Sequence, residues 1–544
     1  MISIIGFIVV LIPLVVVHEF GHFFFAKLFN VRADAFSVGF GPVLYKKQFG
    51  ETEFRVSAIP LGGYVKLLGE DPTTELKPED KARALHQQVP WKRFFIFFGG
   101  PLFNFIWAAL VFMTMMAIGE PQISTVIGRV LPETPAAVAG FMPGDKIINV
   151  EGKPVAKFDD LMIELNDKPG RDVAIGVDRS GNQVTLKAHT DSEEGFTIYG
   201  EKKLVGSIDG LIPNARMTKV GIADPASSAA KAGLVTGDEI TSIDGTKVTT
   251  FEQLESVYAS WAIKGDNASK SPVVLEVKSG DHSKTVTLAP NYSGYLGKDF
   301  GLYSSELFVE QAVKDTPAEK AGLVKGDQLI AVSGTPIRSF FELRQNIQKA
   351  GENSGKLTLT LVRHGKTITQ EIVPQVSTER DPLLKKMKQY TIGIMPVPSM
   401  MEPVMMTEQT LNPFVLVYKG TARMIDLSAR NLISIIKMFQ GQVSVKSLGG
   451  PILIGKLAGE SLNRGVLDFL KMMGILSIGL GVLNILPIPV LDGGHIVLLG
   501  IEAARGRALS LKQIERAQQV GLVLILSLMV VVMKNDIMRL PIFN

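Results

Sequence analysis

Four stretches of this chain are too long and too apolar for a soluble domain, and they constrain the fold more than any other feature. Residues 1–30 open with an almost unbroken apolar run to Val17, and residues 93–119 read RFFIFFGGPLFNFIWAALVFMTMMAIG. A third run lies within residues 466–505 and breaks at LPIPVLDGGH, and a fourth lies within residues 517–539. About 20 helical residues at 1.5 Å each cross a hydrocarbon core of about 30 Å. The expected fold class is therefore a multi-pass α-helical membrane protein with four transmembrane helices. A cleaved signal peptide fits residues 1–30 badly, because MISIIGF has no basic n-region and no small-residue cleavage site precedes Lys27.

Lys and Arg in the short loops set the expected orientation. Lys27, Arg32, Lys46, Lys47, Arg55, Lys66, Lys92 and Arg93 lie between the first two spans, and Arg505, Arg507, Lys512 and Arg516 between the last two. Both loops are expected to be cytoplasmic, with the long insert on the outer side. A formal charge of +4, from 57 Lys+Arg against 53 Asp+Glu, with no basic block, argues against nucleic acid as a partner. There is no cysteine, so a metal must be held by His, Asp or Glu.

The insert repeats itself. PETPAAVAGFMPGDKIINVEGKPV, ADPASSAAKAGLVTGDEITSIDGTKV and KDTPAEKAGLVKGDQLIAVSGTPI carry the pairs Gly144-Asp145, Gly237-Asp238 and Gly326-Asp327 at near-equal intervals. Each is followed by a hairpin-like stretch of alternating apolar residues. The segments resemble PDZ domains, expected at 120–206, 207–298 and 299–400, and the first, with AGF in place of AGL, is the most divergent. Residues 31–92 form a strand-rich loop, with alternation around Gly50 between Ala35 and Leu68. Beside a cleft such strands could hold an extended peptide along their edge, or could only cover the core. Residues 410–465 are an amphipathic helical region, opening with Asn412 as N-cap and Pro413 as first helical residue. Its charged residues Lys419, Arg423, Asp426, Arg430 and Lys437 fall on one face, which suits either a membrane interface or packing on a neighbour.

The chemistry sits in the first span. His18 and His22, four apart on a helix, direct both imidazoles at one point, and Glu19 reaches the water that such a metal holds. These groups buried in an apolar helix are costly unless they serve a function. The third ligand is not where soluble zinc proteases carry theirs. Phe25 stands where the metzincin glycine should be, and no Glu follows His22 at thermolysin-like spacing. Asp492 is the other intramembrane acid in a special setting, where Pro487 and Pro489 break the third span and Gly493-Gly494 permit a tight backbone. Broken backbone at membrane depth survives only when buried in protein or lining a wet cavity, so Asp492 is expected to meet the histidines. A proline kink with a capping aspartate is the plainer account of the same residues.

HEFGH in the first span, GFGP to IPLGGYVKL in the loop, GGPLFNF in the second span, the PDZ-like insert and NILPIPVLDGGH together resemble the site-2 protease family of intramembrane zinc metalloproteases. The chain departs from that family's usual two PDZ domains in having three repeats. The resemblance implies Zn2+ held by His18, His22 and Asp492, Glu19 as general base, and Asn484 stabilising the reacting carbonyl. It also implies regulated intramembrane proteolysis in a bacterial inner membrane, with the repeats periplasmic and the metal site towards the cytoplasmic side. The implied substrates are single-pass membrane proteins already shortened outside, namely a trimmed anti-sigma factor and remnant signal peptides. The PDZ-like repeats would filter by size or dock peptide termini. Asn104 reads as packing or as a residue standing behind the ligands, and His495 as a non-ligand, because a fourth protein ligand would close the site. A non-proteolytic PDZ membrane scaffold is the alternative, against which Glu19 tells. A metal transporter fits worst, for want of an inverted repeat.

Overall fold

The computed structural model describes residues 2–70, 76–78, 80–263, 272–289, 293–353, 355–376 and 389–539. Met1 and short pieces of the 31–92 loop and of the second and third repeats lie outside the described residues. The chain divides into two compact units, one of residues 1–121, 196–203 and 407–544, the other of residues 122–195 and 204–406.

The first unit is a helical bundle carrying one curled sheet. Its helices are α1 (Ile2–Leu28), α2 (Pro90–Ile118), α3 (Pro413–Phe439), α4 (Pro451–Arg464), α5 (Val466–Ile485), α6 (Asp492–Arg505) and α7 (Leu511–Ile537). Four of them, α1, α2, α5 and α7, are long and apolar enough to cross a membrane. Val10 and Leu14 of α1, Phe112 and Met115 of α2, Ala458 of α4, and Ile478 and Val482 of α5 share one buried core.

Between α1 and α2 run two long strands, β1 (Ala33–Phe49) and β2 (Thr52–Leu67), turning at Gly50. Each is used twice. Phe36 is opposite both Phe54 and Val65, and Val38 opposite both Val56 and Gly63, while Val43 to Phe49 return along Ser57 to Thr52. Gly39 and Gly41, at φ of 93° and 83°, allow β1 to bend back in this way. The result is four segments in the order 43–49, 52–57, 33–38, 63–67, so residues 63–67 form one edge. Glu51 at the turn accepts hydrogen bonds from Arg83 and Lys27, which hold its carboxyl down at about 2.

The amphipathic region resolves into α3 and α4. Asn412 Oδ1 accepts from the N–H groups of Phe414 and Val415 at 3.0 and 3.4 Å, capping α3 ahead of Pro413. Gly420 lets α3 lie directly against Ala109 and Met113 of α2, since a Cβ there would fall 2.5 Å from Met113 Cγ. The opposite face leaves Phe414, Tyr418 and Ile425 exposed. Where α2 ends, buried Glu120 pairs with Arg423 of α3 and with Lys471 of α5, the latter at 3.2 Å. Burial alone would raise the Glu120 carboxyl, but these two cations outweigh it and lower it to about 2.

A carboxylate depressed on folding contributes stability above its unfolded pKa and loses it as pH falls through the folded value. Glu120→Gln should therefore lower stability by about 3 kcal/mol near neutral pH. The gap between parent and variant should close between pH 4.5 and about 2, which thermal melts in detergent across that window would read. A pH-independent gap would refute the ion-pair origin.

The second unit holds three copies of one PDZ-like architecture. In each a four-stranded antiparallel sheet has its first strand between the second and the third, with the fourth beside the third, built from residues 146–189, 239–288 and 328–372. A helix crosses each sheet: Phe158–Asn166, Phe251–Ile263 and Phe340–Glu352. A short strand ahead of each copy pairs with one after it, 129–130 with 211–212, 220–221 with 303–304, and 309–312 with 394–396. The Gly-Asp signature has a physical reason. Asp145 accepts the N–H of Met142 at 2.9 Å and both arms of Arg179 at 2.7 Å, and Asp327 does the same with Val324 and Arg363. In the middle copy Lys284 replaces the arginine, 2.9 Å from Asp238. The first and third copies meet through Arg129 and Glu306, 2.6 Å apart and nearly fully buried.

Candidate metal centre

α1 and α2 cross with their backbones in contact. A Cβ on Gly21 would stand 2.1 Å from Gly99 O, and one on Gly100 would stand 2.4 Å from His22 Nε2. Any larger residue in this part of GGPLFNF would push α2 away from the imidazoles. The helical spacing of four turns His18 and His22 to the same face, with their Nε2 atoms 3.3 Å apart.

Asp492 arrives from the broken span. After α5 ends at Ile485, residues 486–491 run as a non-helical turn in which Val490 adopts φ of 95°, a conformation a β-branched residue takes only under constraint. Gly493 then allows α6 to start against the end of α5, because a Cβ there would fall 2.1 Å from Ile485 O. From α7, Gly521 backs onto the same turn at Pro489 O. Asp492, the first residue of α6, is thus delivered to the histidines, its Oδ2 3.3 Å from His18 Nε2 and its Oδ1 3.5 Å from His22 Nε2. Among the described residues these three form the one His/Cys/Asp/Glu group whose ligand atoms all lie within 4.8 Å of one another.

The surroundings suit a cation. Two imidazoles and a carboxylate are the donor set that a catalytic zinc takes while keeping one position open. His22 Nδ1 lies 2.8 Å from the carbonyl oxygen of Ile96, an acceptor, which leaves Nε2 free to donate its lone pair to a metal. Asn484, one residue from the end of α5, places its side-chain nitrogen 3.4 Å from His18 Nε2, at the mouth of the same cluster. Glu19 is not part of the trio. It turns towards β2, against the N–H of Val65 and close to Gly63, within electrostatic reach of His22 and Asp492. His495 is also outside the trio, its ring stacked on Phe97 at 4.7 Å.

Two further groups stand behind the histidines, one of which the sequence could not show. The Ile96 carbonyl leaves no sequence signal at all, being backbone. Asn104 lies fully buried with its amide 3.0 Å from His18 Nδ1. Of the two readings that its place in GGPLFNF offers, packing or a position behind the histidines, the contact with His18 fits the second.

Comparison with known proteins gives one consistent family. The model of peptidase family M50 matches residues 6–528. A Neisseria meningitidis protein, provisionally named a zinc metalloprotease, is 30% identical over 546 residues, covering 99% of both chains. The regulator of sigma E protease of Haemophilus influenzae is 27% identical over 98% of both chains. The regulator of sigma-E protease RseP of Escherichia coli is 26% identical, again over 98% of both.

Proposed function

Because the chain belongs to peptidase family M50 and is a site-2 type metalloprotease of the membrane, we propose that it is an intramembrane zinc endopeptidase acting in regulated intramembrane proteolysis. Its substrates on this reading are single-pass membrane proteins whose outer portion has already been trimmed, an anti-sigma factor and remnant signal peptides among them. The observation that carries the reading is the convergence of His18, His22 and Asp492, from two separate apolar segments, on one point beside Asn484. The excess of Lys and Arg in the two short loops supports a site towards the cytoplasmic side and three repeats in the periplasm. There the repeats would act as a size filter or a dock for peptide termini.

His18, His22 and Asp492 hold the zinc. When bound, it supplies the positive charge that makes water acidic enough to attack near neutral pH and that polarises the peptide carbonyl. Glu19 takes the proton from the attacking water at its carboxylate and passes it to the leaving nitrogen. Asn484 donates its amide N–H to the carbonyl oxygen as negative charge develops there. The edge at residues 63–67, which lies against Glu19, offers backbone groups to a locally unwound substrate, so the scissile bond is laid out beside the base. An intact helix hides its peptide bonds, and strand pairing keeps the unwound backbone satisfied where bulk water is scarce.

The test is cleavage of a single-span reporter with a short outer segment by the purified protein, with and without a zinc chelator. Cleavage within the span, loss on chelation and recovery on adding zinc are expected. A protein that holds zinc yet cuts none of several such reporters would sink the protease reading.

A further inference from the structure

We propose that Asn104 is a positioning residue for His18: its side-chain carbonyl accepts the Nδ1 proton and so keeps Nε2 turned, unprotonated, to the metal. The inference rests on the metal-centre reading above and deepens it. Asn104 is fully buried in α2, with its side-chain nitrogen Nδ2 3.0 Å from His18 Nδ1, while its oxygen Oδ1 is buried and has no hydrogen-bond partner among the described residues, so that turning the amide over costs Oδ1 nothing and sets it against Nδ1. Its backbone carbonyl accepts from Ser477 Oγ of α5 at 2.8 Å, tying this point of α2 to the span that leads to Asp492.

The neighbouring histidine shows which tautomer this point requires. His22 faces a backbone carbonyl, which can only accept, so its Nδ1 carries the proton and its Nε2 is a free donor of electrons. His18 Nε2 faces the same point, 3.3 Å from both His22 Nε2 and Asp492 Oδ2, and needs the same tautomer to bind there. That tautomer requires an acceptor against Nδ1. An amide meets the requirement, because rotating it by half a turn exchanges its oxygen and nitrogen in nearly the same space. The carbonyl then meets Nδ1–H when the metal is held. Ile96 and Asn104, both in α2, therefore face the Nδ1 atoms of the two imidazoles of α1.

The test is zinc affinity by competition with a chelating dye, together with the visible spectrum of the cobalt-substituted full-length protein. Asn104→Leu removes the acceptor at similar volume, and Asn104→Asp keeps it. The Leu variant should bind zinc 10- to 100-fold more weakly and show an altered cobalt spectrum, as supporting partners of metal-bound histidines generally do when lost. The Asp variant should stay close to the parent in both. Should the Leu protein fail to fold, Asn104→Ala takes its place. Parent-like zinc affinity and cobalt spectrum in the Leu or Ala variant would overturn the inference while leaving the metal centre standing. So would an Asp variant as weak as Leu. A parent that binds no zinc would overturn both.

Discussion

Glu19→Gln is expected to keep its zinc and lose cleavage by about 10²- to 10⁴-fold, the usual worth of a positioned general acid–base. Glutamine preserves the length and shape of the side chain, and its carbonyl oxygen can still face the Val65 N–H, so the packing between α1 and β2 is retained. What it cannot do is carry a proton. Because Glu19 is not among the three groups that converge within 4.8 Å, the metal should be indifferent to the change. The measurement pairs single-turnover cleavage of the reporter with zinc content of the same preparation. Cleavage within a few-fold of the parent would remove Glu19 from the base role, and loss of zinc would instead make it a ligand.

Much of this centre is legible in the sequence because membrane depth penalises it so heavily. His18, Glu19 and His22 stand out in an apolar run, and the i, i+4 spacing alone says that the two imidazoles share a face. Asp492 is visible because two prolines and two glycines interrupt a span, and the structure brings it within 3.5 Å of both histidines. The backbone partners are illegible. The hydrogen bond from His22 to Ile96 depends on where α2 crosses α1, and Gly21 and Gly99 fix that crossing only once both helices are known to meet. The loop shows the same limit. Alternation identified strands on either side of Gly50, but pairing Phe36 with two partners at once depends on the bend at Gly39 and Gly41, which periodicity cannot express. For α3 the pattern gave the apolar face and left its neighbour open between a membrane interface and a protein surface. Gly420 against Met113 shows that one face packs on α2, while the exposed Phe414 and Tyr418 leave the other free.

Asp492→Asn is expected to abolish both zinc and cleavage, in contrast to Glu19→Gln. Two imidazoles remain, and the trio loses its one anionic member, so affinity should fall by more than the 10- to 100-fold expected when only a supporting partner is lost. The fold should survive. The turn before Asp492 is fixed by backbone contacts rather than by the carboxylate: Gly493 against Ile485, Gly494 against Ile488 and Gly521 of α7 against Pro489. Asparagine is nearly isosteric and tolerable in the first turn of α6. The strain at Val490 points the same way, since a β-branched residue at φ of 95° persists only where its surroundings over-determine it. A melting curve close to that of the zinc-stripped parent would establish that only the ligand was lost. Stoichiometric zinc at parental affinity in Asp492→Asn would show that the third ligand comes from elsewhere, and the pairing of the first and third spans at this point would then have to serve packing alone.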